Sequence, residues 1–92
     1  MDIDKTKAPW LYGDMPTVLR VGGFRIEIFL KDHEPAHVHA YSAGGRAKIN
    51  LLPVSLEYQV GMKAQDVVRV LRLVVENHTH LVQKWSEINA KP

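Results

Sequence analysis

The hydrophobic period of this chain changes once, near Lys63, and that change limits the fold more than any other feature of the sequence. Before it, apolar residues recur at every second position. In the segment 24–31, Phe24, Ile26, Ile28 and Leu30 fall on one face, with Arg25, Glu27, Phe29 and Lys31 on the other. Ala36, Val38 and Ala40 alternate with His37, His39 and Tyr41, and Ala47, Ile49 and Leu51 alternate with Arg46, Lys48 and Asn50. Such alternation marks strands with one buried face. After Lys63, the residues Val67, Leu71, Val74, His78, Leu81, Trp85 and Ile88 step by four and three, and Val68, Val75 and Val82 widen the stripe. That period predicts an amphipathic helix running to about Asn89, with a weak stretch at Asn77-His78-Thr79 that marks a kink.

Turn signals divide the first part. Thr17 to Val21 is short and rich in β-branched residues, and Gly22-Gly23 follows as a hairpin turn. Asp32-His33-Glu34-Pro35 reads as a loop and Ser42 to Gly45 as a second turn. Pro53 ends a strand, and Leu56 to Val60 is a candidate short edge strand. The expected fold class is α+β, an antiparallel meander of three to four strands with one long C-terminal helix packed on one face. Residues 1–14 show no period and read as an arm anchored by Trp10 and Leu11, ahead of a single domain over 15–90.

With 92 residues there is room for one domain. The absence of cysteine excludes a disulfide framework and thiolate-bound zinc. No apolar run approaches the roughly 20 residues of a membrane span, and the N-terminus has no apolar core of the signal-peptide kind. A cytoplasmic protein with no membrane partner is expected. The formal charge of +2 permits a polyanionic partner without demanding one. Five histidines in so short a chain say more.

The apolar faces of paired strands must coincide, so register can be estimated. A five-residue loop places Glu27 opposite His39, Phe29 opposite His37 and Arg25 opposite Tyr41. A turn over Ser42 to Gly45 then gives three cross-strand rows: Arg25–Tyr41–Arg46, Glu27–His39–Lys48 and Phe29–His37–Asn50. A slip of two residues would keep the faces and change the rows. With the helix on the apolar face, this polar face is left uncovered. A histidine between a carboxylate and a lysine suits acid–base work, so His37 and His39 are candidate catalytic groups. Arg25, Arg46 and Lys48 suit phosphate, and Tyr41 suits a stacked base. An ordinary exposed strand face carries such rows as well.

The spacing of His33, His37 and His39, with Glu27 nearby, also invites a metal reading. No further carboxylate converges in the sequence, so no metal and no cofactor is assigned. His78 on the apolar stripe reads as a hydrogen-bonded core residue and His80 as solvated. Val70 and Leu73 fall opposite Leu71 among charged residues, as an exposed pair fit for a partner protein or a second copy.

The strings Met15-Pro-Thr-Val-Leu-Arg-Val-Gly-Gly-Phe-Arg, Asp32-His33-Glu-Pro-Ala-His37-Val-His39 and Ala47-Lys48-Ile49 resemble domain-of-unknown-function family 4160. The resemblance covers about Met15 to Glu87, and its distinctive part is the string from Asp32 to His39. It implies a small prokaryotic protein with Asp32, His33, Pro35, His37 and His39 as signature positions. It also implies the toxin side of a type II toxin–antitoxin pair, with a domain-of-unknown-function family 2442 protein as antitoxin-like partner. The segment from Leu52 to Lys63 departs from the family's usual hairpin and Pro-rich helix start. Two functions are therefore expected as alternatives. One is a toxin acting on RNA or translation through the His/Arg/Lys face, including metal-independent RNA cleavage. The other is a non-enzymatic module that pairs with a neighbouring-gene protein and binds DNA as a complex.

Overall fold

The structure is a computed structural model that describes residues 17–29 and 32–89. The expected arm over 1–14, with Trp10 and Leu11, lies outside the described residues, as do Leu30, Lys31 and the ends of the 15–90 domain. Five strands follow in order: β1 (Thr17–Val21), β2 (Phe24–Glu27), β3 (His37–Ser42), β4 (Gly45–Leu51) and β5 (Val54–Val60). Two helices close the chain, α1 (Ala64–Glu76) and α2 (His78–Ile88). The sheet is one antiparallel meander in the order β1-β2-β3-β4-β5.

The architecture is α+β as expected, with more elements than the expected three to four strands and single helix. Leu52-Pro53 does not end the sheet. It forms a two-residue turn closed by the Leu51–Val54 pair, and Val54 continues directly into β5. β5 lies at the sheet edge and is exposed from Ser55 onward. Its residues alternate, Val54, Leu56, Tyr58 and Val60 against Ser55, Glu57 and Gln59, and a reading that takes Pro53 as a breaker starts the strand late, at Leu56. The expected kink becomes a helix break. Asn77 donates its backbone N–H and its Nδ2 to the Leu73 carbonyl, at 3.0 and 2.9 Å, and its own carbonyl accepts the Leu81 N–H at 2.9 Å. One residue thus ends α1 and opens α2.

The core lies between the sheet's inner face and the helices. Ile26, Val38, Ala40, Ala47, Ile49 and Leu51 meet Val70, Val74, Leu81, Trp85 and Ile88. Three two-residue turns pin the strand register, closed by the pairs Val21–Phe24, Ser42–Gly45 and Leu51–Val54. A slip of two residues would require rebuilding them.

The helix face differs from expectation. Val70 is fully buried (0% exposed) and Leu73 is half-buried, whereas Val68 and Val75 are 55% and 59% exposed. The expected exposed pair of Val70 and Leu73 is therefore corrected at Val70, which belongs to the core. The cause is compositional: residues 67–75 are apolar except for Arg69 and Arg72, so several stripes fit the sequence equally well. Leu73 lines a groove of about 240 Å³ with Val21, Phe24, Arg69, Arg72 and Glu76. His78 donates from Nε2 to the Leu51 carbonyl at 2.7 Å, as its stripe position suggests. His80 is not merely solvated, since its Nε2 donates to the Val18 carbonyl at 3.1 Å.

Gly61 has φ +72°, and a Cβ there would lie 2.6 Å from the Gly44 carbonyl oxygen, so two turns touch backbone to backbone. Gly22 has φ +59° with open space around it.

Two stability tests follow from this packing. Val70→Asp buries an unpaired carboxylate and abolishes the cooperative unfolding transition. Val68→Asp stays within about 0.5 kcal/mol of the native chain in denaturant melts. Gly22→Ala costs about 1–2 kcal/mol for its left-handed backbone alone. Gly61→Ala costs more than Gly22→Ala, because the same backbone cost is joined by the overlap. Equal losses for the two glycine variants would contradict the close approach.

Candidate functional site

The outer face of the sheet carries the rows that register arithmetic anticipates. Arg25 pairs with Tyr41 and Tyr41 with Arg46, while Glu27 pairs with His39 and His39 with Lys48. The third row is half formed: His37 faces Asn50, but β2 ends at Glu27. Phe29 leaves the ladder and stacks flat on the His39 ring, centroids 3.8 Å apart and planes within 8°.

The first row is longer than the three-strand row expected from the sequence. Arg20 on β1 lies directly opposite Arg25, so three arginines and Tyr41 cross four strands in line. The two-residue turn at Gly22-Gly23 places Arg20 opposite Arg25, as the turn before Gly45 places Tyr41 opposite Arg46. Arg25 stands 4.7 Å above the centre of the Tyr41 ring, a cation–π distance, and its Nε donates to the buried Glu27 carboxylate. Among the described residues, Arg20 and Arg46 have no acidic partner. Burial raises the Tyr41 phenol's pKa, the Glu27 charge adds to this, and Arg25 and Arg46 oppose it. A cleft of about 360 Å³ opens beside this row, lined by Arg20, Phe24, Arg25, Tyr41 and Ser42 among others. On β5, Tyr58 lies opposite Lys48 and Val60 opposite Arg46; they are 45% and 50% exposed.

The other end of the face is closed, which corrects the expectation of a wholly uncovered surface. Glu27 and His37 are buried, His37 to 2%. Asp32 reaches across both histidines: its Oδ2 lies 2.9 Å from His37 Nε2 and 3.1 Å from His39 Nε2. His37 Nδ1 donates to the Pro35 carbonyl at 2.8 Å, and its ring packs against Trp85 of α2 at 5.1 Å. Asp32 is held from two sides. Its N–H donates to Asn89 Oδ1 at 2.8 Å, just beyond α2, and its Oδ1 accepts the His33 N–H at 3.2 Å.

The two expected catalytic histidines are thus adjacent but unequal. Both ring nitrogens of His37 are engaged inside the protein, while the His39 side chain keeps 15% exposure. Burial pulls the His39 imidazole below its ordinary pKa, and the His37 and Lys48 charges add to that. The hydrogen bond and charge of Asp32 oppose it. The ligand atoms of Asp32, His37 and His39 all lie within 4.8 Å of one another, a set able to hold a metal ion. Neither His33, which is exposed, nor Glu27 belongs to that set. In the sequence Asp32 reads as a turn residue, and the carboxylate expected beside the histidines is Glu27, with no further one converging. The position of Asp32 five residues before His37 is the available signal.

Fold and site define a small α+β domain in which two helices back a five-stranded meander and an Asp–His–His cluster closes one end of an arginine-bearing face. The chain belongs to the family described as Domain of unknown function (DUF4160), which matches residues 23–86. No curated protein and no solved structure matches it. Among the described residues, no helix is long and apolar enough to cross a membrane.

Asn89 ties the end of α2 to the Asp32 segment through one hydrogen bond. Asn89→Ala leaves the Asp32 N–H without its acceptor and lowers stability by about 1 kcal/mol. Amide hydrogen exchange at Asp32 should accelerate by more than the global change accounts for. Exchange that follows global stability alone would show that the tie is not what fixes Asp32.

Proposed function

We propose that this protein binds single-stranded RNA across the outer face of its sheet and acts through that contact as the toxin of a two-protein toxin–antitoxin module. The observation that carries the RNA reading is the cross-strand row Arg20–Arg25–Tyr41–Arg46. Like charges placed directly opposite on neighbouring strands are destabilising. Glu27 offsets Arg25, which leaves the exposed guanidinium groups of Arg20 and Arg46 at the two ends of a row that holds Tyr41. A phosphodiester backbone supplies the missing negative charge, and bases supply rings for Tyr41 and Tyr58. Lys48 extends the positive surface toward His39. The toxin role is what membership of the family suggests through its resemblance to paired modules. Any chemistry on the bound strand falls to the Asp32–His37–His39 end, where His39 is the accessible member.

A second observation favours pairing with another protein. β5 is an open edge strand whose Leu56, Tyr58 and Val60 are exposed, a surface suited to strand addition. An antitoxin-like chain of family 2442 is the proposed occupant, whether the assembly blocks RNA or binds DNA.

The RNA reading is tested by fluorescence anisotropy with a labelled single-stranded RNA over a range of salt. The native chain should bind, with affinity falling as salt rises. Arg20→Ala/Arg46→Ala should fold normally, bind more weakly and lower the salt slope by about 0.7 for each phosphate the variant no longer neutralises. Growth arrest on expression should weaken in the same variant. Absence of binding at low salt would overturn the RNA reading. Binding without arrest would leave RNA recognition and remove the toxin role.

A further inference from the structure

The Asp32 cluster poses a problem that RNA binding does not solve, and the problem stands whether or not the sheet face binds RNA. The Pro35 carbonyl can only accept a hydrogen bond, so His37 Nδ1 carries the proton. Nε2 of a neutral ring then presents a lone pair, and it points at a carboxylate oxygen 2.9 Å away. His39 Nε2 approaches the same oxygen at 3.1 Å. His39 Nε2 can meet that oxygen with an N–H, but His37, whose ring proton is already given to Pro35, meets it with a lone pair unless a cation, a proton or a metal ion, stands between them. We infer that Asp32 Oδ2, His37 Nε2 and His39 Nε2 form a binding site for one divalent first-row transition-metal ion.

The two carboxylate–imidazole separations fit. Ligands about 2.1 Å from an ion and at right angles to one another stand about 3.0 Å apart. The observed 2.9 and 3.1 Å match neighbouring positions of an octahedral ion. A tetrahedral ion, with ligands about 3.4 Å apart at the same bond length, requires only a small opening.

The surroundings are those of a ligand shell held in place. Metal-bound histidines commonly donate the other ring N–H to a backbone carbonyl, as His37 does to Pro35. Phe29 fixes the His39 ring plane, Trp85 packs on His37, and Asn89 with the His33 N–H fixes Asp32. Three protein ligands leave positions for water, and bound water donates hydrogen bonds. Two acceptors without partners among the described residues flank the pair in register: Asn50 Oδ1 opposite His37 and Glu27 Oε1 opposite His39, both buried. Two imidazoles beside a single carboxylate select zinc, cobalt, nickel or ferrous iron over magnesium or calcium.

The test uses the full chain without a histidine tag, treated with chelator and then titrated with Zn²⁺ or Mg²⁺ by calorimetry. Zn²⁺ should bind at one equivalent and raise Tm, with no saturable Mg²⁺ binding. Side-chain ¹⁵N resonances of His37 Nε2 and His39 Nε2 should move on Zn²⁺ addition, with those of His33, His78 and His80 unmoved. His39→Ala and Asp32→Ala should weaken Zn²⁺ by about 100-fold or more, and His33→Ala should retain native affinity. If a ligand variant does not fold, the ¹⁵N spectrum of the native chain decides. No stoichiometric Zn²⁺ binding would overturn the inference and leave a shared proton as the cation. Shifts confined to the exposed His33 and His80, or unchanged affinity in folded ligand variants, would overturn it as well.

Discussion

Val70, Val74, Leu81, Trp85 and Ile88 pack on a strip of the sheet made by Ile26, Val38, Ala40, Ala47, Ile49 and Leu51, and that contact fixes the rest of the molecule. In the row nearest the turn closed by Ser42 and Gly45, Ala40 pairs with Ala47 across strands, and both are buried. A one-residue slip of β3 would turn Val38 and Ala40 outward and bring His37 and His39 into the core. Each exposed aliphatic side chain would cost about 1.5–3 kcal/mol, against a total stability of order 5–15 kcal/mol. The buried face therefore decides the outer one. Arg25, Tyr41 and Arg46 share a row because Ile26, Ala40 and Ala47 must share the row behind it.

The Asp32 end is built by different means. There β2 has ended and Phe29 has turned onto His39. The segment leading into β3 is held by discrete polar contacts: Asp32 N–H to Asn89, His37 Nδ1 to Pro35, and the Leu51 N–H to the Ala36 carbonyl at 3.0 Å. α2 contributes twice, with Trp85 against His37 and Asn89, just beyond its end, against Asp32. The second helix thus closes the core and also covers one end of the polar face.

These two origins explain what the sequence makes legible. Rows Arg25–Tyr41–Arg46 and Glu27–His39–Lys48 can be read from alternation and turn length, because burial enforces the one and two-residue turns the other. The Phe29–His37 pairing cannot be so read, since alternation continues through Phe29 in sequence after the ladder has stopped. The break at Asn77 is visible as a weak stretch, but its division of one helix into two lies in the non-helical backbone of Asn77 (φ −114°, ψ 23°), whose side chain also donates to the Leu73 carbonyl. The buried face of α1 is ambiguous because valine and leucine nearly surround it. Asp32 is legible as a turn residue and as part of a signature. Its convergence with both histidines depends on Asn89, 57 residues away, and no local pattern encodes that contact.

The two ends of the outer face follow opposite electrostatic rules. Two unit charges about 4 Å apart interact by about 1 kcal/mol in water and about 4 kcal/mol at an effective dielectric of 20. The Arg20–Arg25 repulsion lies where the Arg25 side chain keeps 40% of its exposure, so the sheet bears it at small cost and an arriving polyanion relieves it. At the closed end water is largely excluded, and the same imbalance would weigh several times more. A carboxylate there, held against two imidazole nitrogens, needs its countercharge within bonding distance. Lys48 stands on the neighbouring strand with its Nζ 3.9 Å from Glu57, directed toward β5 and not toward Asp32. Among the described residues no lysine or arginine side chain pairs with Asp32, whose side-chain neighbours are the two imidazole rings. A bound divalent ion would more than offset the single Asp32 carboxylate and leave the closed end positive, the same sign as the arginine row, so that an arriving polyanion would meet one sign of charge along the face.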